Sequence, residues 1–303
     1  IFENPELRDL AHRIDMLRNE EDENALPPIT VMERPDDIPV SFVQRSYWFL
    51  NELEGGAAAT YNVPAALRFK GNFKMEVAER ALAEIVRRHE TLRSTFHPVN
   101  GFPVQRISET FEFKMPIHDL SELEYESDKQ IAEALRLAGE EARKPFDLER
   151  DLMLRGRFIK LSDKDHIMCT NMHHIICDGW SQGILVGEFV EHYSAFVKGE
   201  PTPMPELPFQ YTDFCIWQQK YVAGERFDHQ FDFWKKKLAG LKPKLELPTD
   251  KPRPPVQSYR GEAETIFIPK PLTERLNEFS RSQGVTLFVT MLSAMKLLLA
   301  RYA

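Results

Sequence analysis

Apolar residues recur along this chain at the two spacings that helices and strands require. Between 72 and 90 they return every three or four positions, which predicts an amphipathic helix. Four of them share one face: Val77, Ala81, Leu82 and Ile85. The segment 91–107 alternates instead on both sides of Asn100 and Gly101, and this pattern predicts a β-hairpin with a tight turn.

The middle of the chain predicts two strands followed directly by a helix. The strands cover 152–161 and 166–174, and the polar residues between them form a turn. The helix presents one apolar face and ends near Gly199. Its apolar face consists of Leu185, Phe189, Tyr193, Phe196 and Val197. The other elements predicted in this half are a helix at 41–50, a strand at about 110–118 and a helix at 128–146.

Strands and helices thus mix without strict alternation, which is typical of an α/β fold (mixed α+β) with a mixed sheet covered by helices. Residues 201–257 are rich in proline and aromatic residues and are interpreted as a long crossover. The segment 261–269 predicts a strand, and 272–284 predicts a helix. The last segment, 285–303, is apolar around most of a helix, so we expect it to be buried and interpret the chain as a fragment.

The start of the chain has a different character. Residues 1–17 predict a short helix, capped by Asn4 and with Pro5 in its first turn. A single amphipathic helix of this length is not stable alone, so it belongs to something upstream or docks on a later part of the chain. Residues 18–37 are acidic and contain prolines, which predicts a linker before a main body that begins near Ile38.

Composition narrows the classes of function. The net charge is −8, and no basic stripe suits a nucleic-acid groove. The longest apolar segment is interrupted by Lys296 and Arg301, which argues against a membrane span. Three cysteines without a C-x-x-C pair indicate neither a disulfide framework nor a zinc knuckle. Because no signal-peptide pattern is present, we predict a cytoplasmic protein without nucleic-acid or membrane partners.

Two adjacent histidines stand where the second central strand ends, in NMHHIICDGWS at 171–181. Neighbouring residues of a strand point to opposite faces, so His173 and His174 cannot bind one metal ion together. We expect one of them to face a cavity and the other to pack behind the sheet. The alternative is that both histidines are structural. Two residues of the same turn argue for a functional role: Asp178 can orient an imidazole, and Gly179 allows the backbone to approach a ligand closely or to adopt a positive φ.

At 173–179 the turn reads H-H-x-x-x-D-G, a pattern that resembles the signature of the condensation domains of nonribosomal peptide synthetases. Its shorter form is shared with chloramphenicol acetyltransferase and other acyltransferases of that fold. One early family pattern is changed, since Val43 replaces an alanine and Ser46 an arginine. Four further segments are similar to stretches of the family and occur in its order: 61–71, 87–96, 210–218 and 246–254.

The resemblance covers about 38–303 and implies an architecture. It predicts two lobes of chloramphenicol acetyltransferase-like fold with the active site in a tunnel between them. On this basis 38–200 is the N-terminal lobe, 201–257 is the crossover, and 258–303 begins a second lobe that is incomplete. Residues 1–15 resemble the last helix of a peptidyl carrier protein, so the predicted helix at 1–17 is assigned to an upstream carrier protein.

The resemblance implies amide bond formation between two aminoacyl thioesters, each tethered to a carrier protein by a phosphopantetheine arm, with no cofactor bound directly. It places His174 in the tunnel, as general base for the amine or as hydrogen-bond partner of the tetrahedral intermediate. It gives Asp178 an ion pair that fixes the loop, and we expect Arg93 to be the partner. Gly179 is expected to aim its backbone N–H into the tunnel.

The neighbours of these residues receive supporting or structural roles. His173 is the supporting histidine, and Trp180 is interpreted as a core residue, with a place in the tunnel wall as the alternative. Ser181 is expected to cap the following helix. Cys177 has no basic neighbour to make it a nucleophile. Three residues near the end of the helix at 72–90 are given no part in the chemistry: His89, and the expected solvated charges Arg88 and Glu90.

Three functions therefore compete. The first is a condensation domain, of the subtype for L-configured donors, acting with upstream and downstream peptidyl carrier proteins and with the adenylation domain of the same synthetase. The second is a non-catalytic module of the same fold, against which the intact motif argues. The third is a coenzyme A-dependent acyltransferase, against which the carrier-like helix argues. We expect the fragment alone to be inactive, because the second lobe is incomplete.

Overall fold

The computed structural model separates the chain into two compact units, with the boundary between Phe227 and Asp228. This boundary lies within the predicted crossover at 201–257. The predicted carrier-like helix at 1–17 and the linker residues 18–25 lie outside the described residues. The structure describes residues 26–56, 59–222, 225–241, 245–252, 254–255 and 261–302.

Strands and helices mix along the chain, as predicted. The strands of the described residues are β1 (Ile38–Pro39), β2 (Asn62–Lys70), β3 (Ser94–Val99), β4 (Phe102–Ile107), β5 (Ile117–Asp119), β6 (Leu154–Ser162) and β7 (Asp165–His173). The helices are α1 (Phe42–Leu53), α2 (Met75–Arg88), a 3-10 helix (Glu90–Arg93), α3 (Asp128–Arg143), α4 (Gly179–Val197), α5 (Tyr211–Tyr221), α6 (Glu225–Lys237), α7 (Lys270–Ser282) and α8 (Leu287–Tyr302). Helices α5 and α6 fall in the predicted crossover, where the sequence pattern predicted none.

The main sheet of the first unit has the strand order β2–β7–β6–β5. β7 pairs antiparallel with both β2 and β6, whereas β5 pairs parallel with β6. This is the mixed sheet that the sequence predicts. In a second sheet, of order β1–β4–β3, the β3–β4 hairpin turns at Asn100 and Gly101. Their φ angles of 51° and 82° are those that a type I′ turn requires, so the hairpin prediction is confirmed.

Alternation along β6 divides the core between the two faces of the main sheet. Phe158 packs in one cluster with side chains of α2 and α4. Its neighbour Ile159 packs on the other face, against Ala134 and Leu137 of α3. Both β6 side chains are fully buried, and burying one of this size stabilises the fold by about 1.5–3 kcal/mol. Helices therefore cover both faces of the sheet, as predicted.

Gly156 lies within β6, where this strand approaches β7 closely. A Cβ atom at this position would lie 2.1 Å from the carbonyl oxygen of Cys169. Backbone atoms cannot yield to such a contact, so only glycine fits at this point of the sheet. The pairing of β6 with β7, the strand that ends at the histidine pair, depends on this residue.

Two strand predictions need correction. The predicted strand at about 110–118 is reduced to Ile117–Asp119, the part that pairs with β6. The predicted strand at 261–269 is wrong, because none of the described residues pairs with it and an unpaired strand is not stable alone. Ile266 and Phe267 are accordingly 86% and 87% exposed.

The second unit contains α7 and α8, which are joined by a hydrogen bond of 2.7 Å between the hydroxyls of Ser280 and Thr290. The prediction that 285–303 is buried is wrong for the described residues, since α8 has no buried residue. Over the described ranges, no single helix is long and apolar enough to cross a membrane. The pair α7 and α8, bent by 102°, meets that test of length and composition together.

Candidate active-site cavity

β7 ends at His173, and the turn after it leads directly into α4. The backbone N–H of His174 donates to the carbonyl oxygen of Tyr61 (2.8 Å), which extends the pairing with β2. Asp178 is the N-cap of α4, because its carboxylate accepts hydrogen bonds from the backbone N–H (2.8 Å) and the hydroxyl (2.6 Å) of Ser181. Ser181 is thus the third residue of the helix, and the prediction that it is the cap is wrong.

His173 is the structural member of the histidine pair. It is 1% exposed and packs edge-on against Phe146, with ring centroids 5.9 Å apart. Its Nδ1 accepts a hydrogen bond from the backbone N–H of Ile175 (3.1 Å), so the ring proton lies on Nε2. Burial, and then the neighbouring His174 and Arg155, lower the pKa of His173 to about 4. The ring is therefore neutral at pH 7 and holds the turn from behind.

His174 lines a cavity of about 500 Å³. Its ring stacks on that of Tyr47 in α1, with centroids 4.9 Å apart and the planes at 19°. Its Nδ1 is buried and has no hydrogen-bond partner among the described residues. The prediction that one histidine faces a cavity while the other packs behind the sheet is confirmed, and His174 is the one in the cavity.

The cavity is walled by α1, the end of α2, the turn after β7, the first turns of α4 and the start of α5. Its lining is mainly apolar, and its volume is that of a small-molecule site, roughly 300–1,000 Å³. A few polar side chains interrupt the apolar wall, among them His89, Thr91, His174, Asp178, Ser181 and Tyr211. Hydrogen bonds to those of these groups that are buried are strengthened by the low dielectric of such a site.

The predicted ion pair between Asp178 and Arg93 is wrong in the part of the chain that the structure describes. Asp178 is exposed, and its hydrogen bonds from Ser181 hold the pKa of this carboxyl below its ordinary value. Arg93 donates instead to the carbonyl oxygen of Ser108 and lies 3.9 Å from Glu90. The capping bonds are made within three residues, and this local partner satisfies the carboxylate without a distant cation.

Gly179 and Trp180 are the first residues of α4. Gly179 is not at positive φ, so that alternative is wrong, and an added Cβ would meet no atom within 4 Å. Its backbone N–H is one of those that a helix leaves free in its first turn. Trp180 is 83% exposed, so its interpretation as a core residue is also wrong.

The sequence did not predict a buried polar cluster beside the cavity, formed by Arg88, His89 and Glu188. Arg88 is 7% exposed, and its Nε lies 3.6 Å from the carboxylate of Glu188. Nε2 of His89 lies 2.8 Å from the same carboxylate. Glu90 pairs with Arg34 at 2.8 Å, so the prediction that Arg88 and Glu90 are solvated is wrong. The only signal in the sequence was that these residues belong to a family-like segment, since their partners are far away along the chain.

Cys177 also lines the cavity. Burial, and then the charge of Asp178, raise the pKa of this thiol to about 12. It stays protonated at neutral pH and is therefore a poor nucleophile, as predicted. Within the described ranges, no group of three or more His, Cys, Asp or Glu side chains is placed to hold a metal ion.

A mixed sheet between helices, with an imidazole at a strand end facing an apolar cavity, defines an α/β domain of chloramphenicol acetyltransferase-like fold. The family model described as "Condensation domain" matches residues 34–303. The chain therefore belongs to the condensation domain family of nonribosomal peptide synthetases.

Similar proteins agree with this assignment. One of the linear gramicidin synthase proteins from Brevibacillus parabrevis is 38% identical over 302 residues, which cover 100% of this chain and 6% of that protein. Chondramide synthase cmdD from Chondromyces crocatus is 40% identical over 288 residues, or 95% of this chain and 7% of that protein. The chain thus spans less than a tenth of the length of either relative.

Two solved structures share the fold. The X-domain from teicoplanin biosynthesis, in its complex with OxyB, aligns with a TM-score of 0.81 and 26% identity over 92% of this chain and 60% of that chain. The first condensation domain of the CDA synthetase aligns with a TM-score of 0.67 and 20% identity over 88% of this chain and 62% of that chain. At 20% identity, the second likeness shows the fold alone.

Proposed function

We propose that this chain is part of a condensation domain that forms an amide bond between two carrier-bound thioesters. The amine of the acceptor aminoacyl thioester attacks the carbonyl carbon of the donor acyl thioester. A C–N bond forms and the donor C–S bond breaks, so the thiolate of the donor arm leaves and takes up one proton while the amine loses one. The observation that carries this proposal is the position of His174, at a strand end in the wall of an apolar cavity.

The role of His174 can be argued from the acidity of the amine. A free α-amino group has a pKa of about 7.7–8.0, so roughly one in eight is already neutral near pH 7. Using only that fraction costs about 1.2 kcal/mol, less than one tenfold step in rate. The amine proton becomes acidic only as the C–N bond forms. His174 therefore acts mainly by positioning the amine and by accepting its proton late, while the juxtaposition of two tethered reactants contributes more.

The other residues of the motif support this imidazole. His173 fixes the end of β7 from behind, and Asp178 fixes the start of α4. Gly179 offers its backbone N–H to a reactant. Arg93 stabilises the segment after α2, and Trp180 provides an apolar surface beside the turn. Of these residues and His174, only His174 and Gly179 touch reactants in this assignment.

The substrates and partners belong to the same proposal. The reactants are held on the phosphopantetheine arms of upstream and downstream peptidyl carrier proteins, and the adenylation domain of the same synthetase is a further partner. No cofactor is bound directly. The subtype is that for L-configured donors, residues 1–17 belong to the upstream carrier protein, and the site of action is the cytoplasm. Similarity to linear gramicidin synthase and chondramide synthase supports a place in such an assembly.

The test gives the full-length protein that carries these 303 residues two loaded carrier proteins. Mass spectrometry then detects whether the acceptor carrier bears a dipeptidyl thioester. Product that depends on His174 is the expected result. The proposal fails if the donor acyl group never appears on the acceptor amine although both carriers are loaded.

A non-catalytic binding module is the second candidate. The observation in its favour is the likeness to the X-domain, which was solved in a complex with OxyB. A module of this kind binds a protein without consuming thioesters. This candidate predicts that the immobilised chain retains a partner protein and that no dipeptidyl thioester forms. It also predicts that replacing His174 leaves the retention of the partner protein unchanged.

A further inference from the structure

A second histidine, His89, lines the cavity that contains His174. It lies at the C-cap of α2, just before the 3-10 helix, with an extended backbone (φ −104°, ψ 103°). α2 ends at this residue, and the His89 ring forms part of the cavity wall. The family-like segment at 87–96 therefore delivers a functional group to the same space as the histidine motif.

The partner of His89 is a carboxylate that stays ionised. Burial alone would raise the pKa of Glu188, but the hydrogen bond from His89 and the charges of His89 and Arg88 outweigh burial and hold that pKa below its ordinary value. Arg88 lies 3.6 Å from Oε1 of Glu188 and is buried with it. Arg88 is thus a second basic group beside this carboxylate.

Glu188 also determines which nitrogen of His89 carries the proton. Its Oε2 lies 2.8 Å from Nε2 of His89. An ionised carboxylate only accepts hydrogen bonds, so Nε2 must be the protonated nitrogen. Nδ1 is then the ring nitrogen that is not engaged by Glu188. One buried side chain from α4 thus fixes the orientation of the ring.

Two polar groups in this wall have no hydrogen-bond partner among the residues that the structure describes: Nδ1 of His89 and the hydroxyl of Thr91. No described residue donates a hydrogen bond to Nδ1 of His89. The hydroxyl of Thr91, which lines the same cavity, is buried and lacks a partner within the described part of the chain. Leaving a buried hydroxyl unsatisfied destabilises a protein, and such groups are accounted for where a ligand completes the bond.

We propose that His89 and Thr91 hydrogen-bond an amine or amide group of one of the two thioester-borne reactants, and that Glu188 positions His89 for this bond. The inference rests on the proposed function, because it takes the reactants to be aminoacyl thioesters on pantetheine arms. Both the aminoacyl group and the amides of the arm present polar groups that can bond to Nδ1 of His89 and to the hydroxyl of Thr91. No proton is transferred, so His89 is a binding residue and Glu188 acts through it.

In the test, the full-length protein receives the donor and acceptor carrier proteins as separate proteins. The concentration of one carrier protein is varied while that of the other is held constant, and KM is measured for each. His89→Phe keeps an aromatic ring but removes both nitrogens. It is expected to raise KM for one of the two carriers about three- to tenfold, the contribution of one hydrogen bond, while kcat stays within about twofold. His89→Gln supplies a carbonyl oxygen in place of Nδ1 and an amide that can donate to Glu188, so it is expected to recover most of the affinity.

Glu188→Gln tests the positioning role. It is expected to raise the same KM about two- to fourfold, and to add nothing in a His89→Phe background, because its effect passes through that ring. His97→Phe is the matched control. His97 lies in β3, is partly exposed, bonds to Thr95 and does not line the cavity, so both KM values are expected to stay unchanged.

The outcomes separate this inference from the proposed function. Unchanged KM values in His89→Phe, or equal losses in His89→Phe and His89→Gln, overturn the inference. If His174→Ala still slows product formation in that case, the proposed function stands. A lower Tm without a change in KM identifies a purely structural cluster and also overturns the inference. Absence of product with the unaltered protein overturns both.

Discussion

Asp165 and the histidine pair lie at opposite ends of β7 and differ in how completely their polar groups are hydrogen-bonded. At the start of the strand, the Asp165 carboxylate is 2% exposed and fully engaged. It accepts hydrogen bonds from Arg68, at 2.6 and 2.9 Å, and from the hydroxyl of Tyr125 at 2.7 Å. At the far end, the buried atoms Nε2 of His173 and Nδ1 of His174 have no partner among the described residues.

This difference teaches how to separate a structural polar cluster from a functional one within a single strand. A buried charge that is completely bonded stabilises the fold and offers nothing to a ligand. A buried donor or acceptor without a partner destabilises the fold. His174 lines the cavity, where a reactant can complete its hydrogen bond, whereas His173 and His166, which also have such an atom, do not line it. Four predictions test this interpretation of the two ends.

The first prediction concerns the closed end. Arg68→Met keeps the aliphatic stem but leaves Asp165 with the Tyr125 hydroxyl as its remaining close partner. We expect the free energy of unfolding to fall by about 2–3 kcal/mol, below the loss for a fully buried pair because Arg68 is 40% exposed. Urea unfolding measures this loss. Arg136→Met, which removes an exposed helical pair with Glu133, is the control and should change stability by less than about 1 kcal/mol.

The second prediction uses pH at the open end. The folded protein holds the pKa of His173 at about 4, whereas the unfolded chain binds this proton near pH 6.5. The unfolded state therefore binds more protons between these values, so stability is complete above pH 6.5 and falls as the pH drops towards 4. Between about pH 7 and 4.5 the histidine contributes a loss of about 2.5 kcal/mol.

His173→Asn isolates this contribution. The amide oxygen can still accept from the backbone N–H of Ile175, but the side chain no longer titrates. Urea unfolding at about pH 7 and about pH 4.5 should show a smaller loss in the variant than in the unaltered protein, by that amount. Equal pH dependence in both proteins would mean that the ring at 173 is not held neutral by burial.

The third prediction concerns chemistry. His174→Ala should lower turnover about 10- to 100-fold, equal to about 1.4–2.7 kcal/mol, without abolishing it when the acceptor amine is reactive. The reason is that tethering still brings the two reactants together. Dipeptidyl thioester formation measures the rate. Complete loss with every acceptor would show that the imidazole does more than position the amine and accept a late proton.

The smallest effect is expected at Asp178. As an exposed N-cap, it should contribute about 1 kcal/mol, so Asp178→Ala lowers the free energy of unfolding by that amount. Asp178→Asn keeps a cap and should lose only a few tenths of a kcal/mol. A loss of about 3–5 kcal/mol in the alanine variant would instead indicate the ion pair that the resemblance implied.

Local spacing predicted most of the first unit. The hairpin at Asn100 and Gly101, the strand pair β6 and β7, and the opposite directions of His173 and His174 all depend on neighbours in the sequence. Each is fixed by turn geometry or by the twofold repeat of a strand, which the sequence displays directly.

What the sequence did not predict depends on distant partners. The pairing of His89 with Glu188 joins residues far apart in the sequence. Asp178 is the exception, because its partner is the nearby Ser181 and the expected distant ion pair is not formed among the described residues. The predicted strand at 261–269 failed for the same reason, because a strand needs a neighbour that no local pattern specifies. Part of the candidate site could be located from a motif, but its hydrogen-bond partners required the fold.

Gly156 has a consequence for how this domain tolerates change. Because a single methyl group at this point would collide with the main chain of β7, the most conservative substitution available would force the two central strands apart. A Gly156→Ala substitution would count as conservative on any scale of amino-acid similarity. It would nevertheless displace the far end of the strand, where the histidine pair lies. A search for inactivating variants should therefore include this position, although no reactant comes near it.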